Sequence, residues 1–488
     1  MNLLRTKSVE QSIADTDEPG RRLNKALGAL DLTVFGVGVI IGTGIFVLTG
    51  VAAGTVAGPA VSLSFVAAGI ACALAALCYA EFASTVPVAG SAYTFSYASL
   101  GELVAWIIGW DLMLELALGA ATVASGWSGY FRTVFHDTFH VTLPTWVDGN
   151  HHNLVAAAMV LALTAVLCLG IKVSNRVNAV IVVVKLAIVL LVIIAGITLI
   201  KTSNWHHFIP DSGSKPAPGG SSEKTLIQDI GLGSGTFGIG GIFTAAALVF
   251  FAFIGFDIVA TAAEETKRPQ RDIPIGIFAS LGICTTLYVA VSLVVTGMVP
   301  YNKIDVNAPL AKAFDSVGES GIAQVVSWGA LAGLTTVTLI LMLGQSRVFF
   351  AMSRDRLLPP VFASVSERFQ TPYRTTLVTG VAVAALAALV PLKELADLVN
   401  IGTLFAFVVV AIGVIVLRRS RPDLERAFRT PAVPLVPILS VLASFYLMLN
   451  LTTTTWLRFL IWMVIGLVIY FVYGARHSRL AEEGRGGR

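Results

Sequence analysis

The stretch VFGVGVIIGTGIFVLTG, residues 34–50, decides how the chain folds. It lies inside an apolar run over roughly 30–54, and about twenty apolar residues suffice to cross roughly 30 Å of hydrocarbon. Gly42-Thr43-Gly44 stands at the middle of that run. A lone glycine in a membrane helix usually serves close packing. Two within three residues remove the side-chain constraint that keeps a backbone helical. The freed N–H and C=O groups are tolerable at that depth only where they face a cavity or a ligand.

The rest of the chain has the same character. Of 488 residues, 56% are hydrophobic and 13% charged, against about 25% charged in a soluble domain. Apolar runs of spanning length are read at about 30–54, 58–80, 97–124, 153–171, 177–200, 239–263, 275–299, 322–346, 375–391, 396–417, 433–452 and 455–474. They are continuous rather than alternating, which predicts an all-α membrane protein with 12 transmembrane helices instead of a barrel. Of the 33 Lys and Arg, 24 fall on the side of the N-terminus, 8 on the other, and Lys185 lies inside a span. That bias predicts both termini cytoplasmic.

Other classes are disfavoured. The net charge of +4 is that same asymmetry and implies no nucleic-acid partner. Residues 1–29 lack the order of a cleaved signal and read as a cytoplasmic tail. Cys72, Cys78, Cys168 and Cys284 fall in predicted spans and suggest neither disulfides nor metal. The histidines lie in loops, and no phosphate-binding loop or cofactor motif is present. The longest connection, 201–238, is a Gly/Ser/Pro-rich outer loop too short for a domain.

A second break is predicted in FFAFIGFD, residues 250–257, at Gly255. The two interrupted spans are the first and the sixth. Two five-helix halves related by inversion would bring them side by side, which is the inverted-repeat transporter pattern. A half-helix N-terminus then offers N–H groups to a carboxylate, while freed carbonyls accept from an ammonium. A zwitterion fits such a site.

At this point the chain resembles a known family. GVGVIIGTGIFV (36–47), CYAEFASTVPVAGSAYTFSY (78–97), IIGWDLMLEL (107–116), FFAFIGFDIVATAAEETKRPQRDIPIGI (250–277), GQSRVFFAMSRDRLLPP (344–360) and NIGTLFAF (400–407) look like signatures of the cationic amino acid transporters, within the amino acid, polyamine and organocation superfamily. The resemblance covers nearly the whole chain, and its bacterial members are similar throughout. It implies a LeuT-type 5+5 inverted repeat (30–200 and 239–417), two additional C-terminal helices (433–474), a cytoplasmic tail (475–488) and a place in the bacterial cell membrane. It further implies substrate contacts at Ile40, Thr43, Gly44, Gly119, Phe251, Phe253, Ile254 and Leu341. Many relatives read Leu-Glu-Tyr where this chain has Leu114-Glu115-Leu116, so an aromatic role at 116 is not carried over.

Charges inside the spans need a partner or a purpose. Lys185 lies nine residues beyond Arg176, about 13–14 Å along a helix, too deep to snorkel out. It either pins neighbouring helices through their carbonyls or carries a coupling proton, since burial disfavours the charged form of an amine. In proton-coupled relatives a matching lysine takes the place of a sodium ion between helices 1 and 8. Its expected partners are helix 1 carbonyls and the hydroxyls of Thr335 and Thr336. Glu115 is expected to join a network with Lys185, Thr43 and Tyr288, with Asp111 one turn away. Leu341 would leave little room for an arginine-length side chain, which favours small neutral L-amino acids such as alanine over cationic ones. A cationic amino acid (arginine or lysine) transporter, an exchanger, and a membrane sensor that binds without turnover stay as alternatives. Protons, an amino acid and membrane lipid are the expected partners; an accessory single-helix subunit is left open.

Overall fold

A computed structural model describes residues 27–85, 91–142, 144, 147–149, 152–170, 175–217, 224–233, 235–261, 265–363 and 371–479. It is mostly helical. The long elements are α1 (Ala29–Ile40), α2 (Val61–Thr85), α3 (Glu102–Phe139), α4 (Leu154–Cys168), α5 (Asn175–Ile197) and α6 (Gly238–Val249). They continue with α7 (Pro269–Met298), α8 (Ser320–Arg354), α9 (Tyr373–Leu389), α10 (Leu392–Ser420), α11 (Leu435–Leu449) and α12 (Thr453–Ile469). Among the described residues eight helices are long and apolar enough to cross a membrane, and four more are shorter apolar helices of 10–17 residues. Among the described residues the sheet is one tiny hairpin, Asp148–Gly149 with His152–Asn153.

Element ends follow local chemistry. Asn153 caps α4 by accepting from the Ala156 N–H, and Thr452 caps α12 by accepting from Thr455, satisfying donors that a helix start leaves free. α3 outruns its apolar stretch because its polar residues are satisfied within the bundle. Ser128 and Thr133 donate to carbonyls of their own helix, and Tyr130 Oη donates 2.7 Å to Phe46 O.

Small residues set the crossings, as expected where lipid supplies no hydrophobic drive between helices. A Cβ on Gly38 of α1 would lie 2.4 Å from Val182 of α5, and one on Gly329 of α8 would lie 1.6 Å from Ile188 of α5. Both glycines are therefore required by close approach. α3 lies at the centre, against α8 and α10, while α7 packs on α1 and α2. α12 is fixed to α3 by indoles: Trp106 Nε1 donates to Gly466 O and Trp110 Nε1 to Trp462 O, each at 2.9 Å. Exposed Val180, Val183 and Ile194 on α5, and Leu457, Val464 and Val468 on α12, form faces that suit lipid rather than water.

Candidate functional site at two interrupted helices

α1 ends at Ile40, the backbone bends at Ile41 and Gly42, and helical Thr43 leads into a π-helical turn that begins at Gly44. The first bonds of the new turn run from the Ile45 and Phe46 N–H groups to Gly42 O, both at 3.2 Å. The amides of Gly42, Thr43 and Gly44 are thus the donors that a helix start leaves without an intrahelical acceptor. In the sixth segment α6 tightens into a 3-10 turn at Phe250–Phe253. Ile254 is extended, and Gly255 has φ of +118°, a conformation that a side chain would strain. Helix resumes at Phe256–Thr261, with Asp257 Oδ1 accepting from the Gly255 N–H at 3.2 Å.

The two breaks touch. A Cβ on Gly44 would lie 2.2 Å from the Ala252 Cβ and 2.3 Å from its Cα. Tyr288 Oη of α7 lies 2.7 Å from Ile40 O and 2.8 Å from Ala252 O, one hydroxyl shared by a carbonyl from each break. Asn400 Nδ2 of α10 donates to Ala247 O and Leu248 O at the end of α6. Two buried polar atoms here have no partner among the described residues, Thr43 Oγ1 and Asn400 Oδ1.

Six of the anticipated substrate-binding residues, Ile40, Thr43, Gly44, Phe251, Phe253 and Ile254, lie on the two interrupted segments. The Phe253 ring stands 5.4 Å from that of Tyr288. Gly119 and Leu341 face each other between α3 and α8, where a Cβ on Gly119 would lie 3.5 Å from Leu341. A small hollow reaches Leu248 and Thr244 at the end of α6.

Lys185 is 1% exposed. Its Nζ donates 2.8 Å to Gly38 O on α1, and its stem runs along Gly333 of α8. The ammonium therefore sits between α1 and α8. Thr335 and Thr336 donate to Leu331 O and Gly333 O of their own helix. The network expected around Glu115 is not assembled either. Glu115 sits against Thr403 of α10, with Asp111 and Asp257 close by, while Thr43 faces Gly126 of α3. Sequence reasoning missed Asn400 and Tyr130 as holders of the breaks. An amide or phenol within an apolar span was the available signal.

A family model described as amino acid permease matches residues 27–476. The chain belongs to the amino acid permease family. It is 46% identical over 486 residues to the methylthioribose transporter of Bacillus subtilis (strain 168), covering 98% of this chain and 99% of that protein. It is 48% identical over 490 residues to the branched-chain amino acid permease BcaP of the same organism, with 99% of each chain covered. Further away, it is 31% identical over 598 residues to the vacuolar cationic amino acid transporter 4 of Arabidopsis thaliana, covering 98% of this chain and 96% of that one. With its apolar helices, this makes it an integral multi-pass membrane protein.

Proposed function

We propose that this permease is a secondary active transporter that imports neutral L-amino acids with small aliphatic side chains, coupled to protons. In this reading the chain has the LeuT-type 5+5 inverted repeat plus two C-terminal helices, twelve spans, and both termini on the cytoplasmic face of a bacterial cell membrane. The substrate carboxylate takes the amides of Gly42, Thr43 and Gly44, where a helix start carries about half a positive charge. The ammonium takes carbonyls of the α6 break. Ile40 O and Ala252 O, now shared by Tyr288, are within the same group of acceptors. Tyr288 holds the breaks together while the site is empty.

One observation carries the coupling. Lys185 ties α5 to the Gly38 carbonyl of α1 while lying along α8. A charged ammonium makes the stronger bond to a carbonyl, so protonation holds the first half of α1 against α5 and α8. Loss of the proton weakens that hold and frees α1 to move, which is the event alternating access needs.

Substrate choice rests on apolar walls. Leu341 against Gly119 makes that wall apolar and narrow, which favours alanine-sized substrates. A second reading extends the range to branched aliphatic amino acids, because a relative covering 99% of this chain is a branched-chain amino acid permease. Thermal unfolding of the purified chain against the twenty amino acids and methylthioribose tests both, since a bound ligand raises apparent stability. Alanine, valine, leucine and isoleucine define the expected set. Stabilisation by arginine and lysine alone, or by methylthioribose alone, overturns the proposal.

A further inference from the structure

A hollow of about 800 Å³ opens at the start of α7, lined by Gln270, Arg271, Pro274, Ile275, Phe278, Ala279, Ala427 and Phe428. Six of these residues form two ridges on one helical face, Gln270-Pro274-Phe278 and Arg271-Ile275-Ala279, each spaced by four. Both ridges grade from polar to apolar over eight residues, about 12 Å of helix. The polar ends stand at the terminus of a spanning helix, at the membrane–water boundary. The far wall is the 421–432 segment, whose Phe428 ring stands 5.8 Å from Phe278.

That wall is anchored. Arg418 Nη2 donates 2.8 Å to Glu81 Oε2, and the Thr430 N–H donates 2.8 Å to the same oxygen. Arg426 Nε lies 3.4 Å from Glu81 Oε1. The hollow is thus bounded by two fixed elements.

The mouth carries cationic side chains. Arg271 is exposed at it, Lys267 and Arg268 precede it, and the lining has no acidic residue. Among the described residues no carboxylate pairs with Lys267, Arg268 or Arg271; Glu264, which the sequence offers as a partner in the run 264–272, lies outside the described residues. Asp272 is buried and is not among the lining residues. An exposed guanidinium at the head of an amphipathic slot calls for a ligand with an anionic head and an apolar tail.

We propose that this hollow binds an anionic glycerophospholipid, with its phosphate on Arg271 and Gln270 and the upper part of an acyl chain between Ile275, Phe278 and Phe428. The site stands apart from the interrupted helices, and its test is independent of the transport reading. Because α7 packs on α1 at Leu32 and Gly276, the lipid braces the helix against which α1 moves.

The test uses the full chain in detergent micelles supplemented with phosphatidylglycerol or with phosphatidylcholine of the same acyl chains. Retained lipid is counted by native mass spectrometry and thermal unfolding is followed in parallel. Wild type retains phosphatidylglycerol preferentially, by about fivefold from Arg271 alone, the ratio equivalent to about 1 kcal/mol per juxtamembrane basic residue. Arg271→Gln loses that preference, and Ala427→Trp, which fills the slot from an exposed position, loses retention of both lipids. Equal retention of the two lipids by wild type, or an unchanged preference in Arg271→Gln, overturns the proposal.

Discussion

Gly44→Ala is the sharpest perturbation of the paired breaks. The new methyl would sit 2.2 Å from the Ala252 Cβ and 2.3 Å from its Cα, whereas carbon atoms rest about 3.5–4.0 Å apart. The interrupted segments must therefore separate by more than about 1 Å, and the obstacle is backbone rather than a rotatable side chain. Overpacking of this kind costs about 1–3 kcal/mol. The separation also stretches the Tyr288 hydroxyl, which now reaches Ile40 O at 2.7 Å and Ala252 O at 2.8 Å. Thermal unfolding of the purified variant should show a clear loss of stability, and the stabilisation given to wild type by its amino acid should vanish. Ala252→Gly in the same chain should restore part of the loss, because the clash between the two methyls goes while the main chain at 252 still crowds the new methyl. Wild-type stability and ligand response in Gly44→Ala would refute the reasoning that these two backbones meet where the substrate binds.

Tyr288→Phe leaves Ile40 O and Ala252 O without their shared donor, and an unsatisfied buried group costs about 1–3 kcal/mol; a lowered melting temperature checks it, with substrate recovering part of the loss by supplying its ammonium. Glu81→Gln removes the negative charge and one of the two oxygens that accept from Arg418 and the Thr430 N–H, and with it the ion pair to Arg426; breaking a buried pair costs about 3–5 kcal/mol, so this variant should be the least stable of the set, read by denaturation in detergent. Lys312→Gln acts differently. Lys312 Nζ lies 3.3 Å from Asp137 and 3.2 Å from Asp315. Burial alone would lower its affinity for a proton, but the two carboxylates outweigh it and hold the ammonium above the ordinary lysine value. A raised folded value stabilises fully below the unfolded pKa, about 10.4, and is lost only as pH rises through the folded one. The variant's deficit, under about 1 kcal/mol for such an exposed pair, should stay constant between roughly pH 6 and 9 and shrink in salt.

The interruption at Gly42–Gly44 was legible because two glycines in a long apolar run have no better explanation, and Gly255 because it follows FFAFI at the same depth. That Lys185 must find a partner inside the bundle was legible from its depth, and the carbonyls of α1 as that partner from the family resemblance. Its neighbours on α8 were not. A threonine in a helix can satisfy itself on the carbonyl three or four residues back, as Thr335 and Thr336 do, and sequence does not say when it will. The surroundings of Glu115 were hidden for a related reason. Spacing puts Asp111 and Glu115 on one face of α3, but which helix covers that face is set by crossings such as Asp111 against Gly402 of α10. The length of α3 was underestimated because apolar counting stops where serine and glycine begin at 125–129, and Ser128 finds a partner inside the bundle; α8 runs on past Arg347, where counting stops at a charge.

The central claim is that an amino acid bound at the two breaks moves together with the proton that Lys185 holds. Proteoliposomes with an imposed pH gradient, scored at once for labelled alanine uptake and for proton entry, test it most directly in wild type and Lys185→Ala. Wild type should concentrate alanine with matching proton entry, and Lys185→Ala should bind alanine but equilibrate it without responding to the gradient. Accumulation by Lys185→Ala as steep as that of wild type would contradict the account.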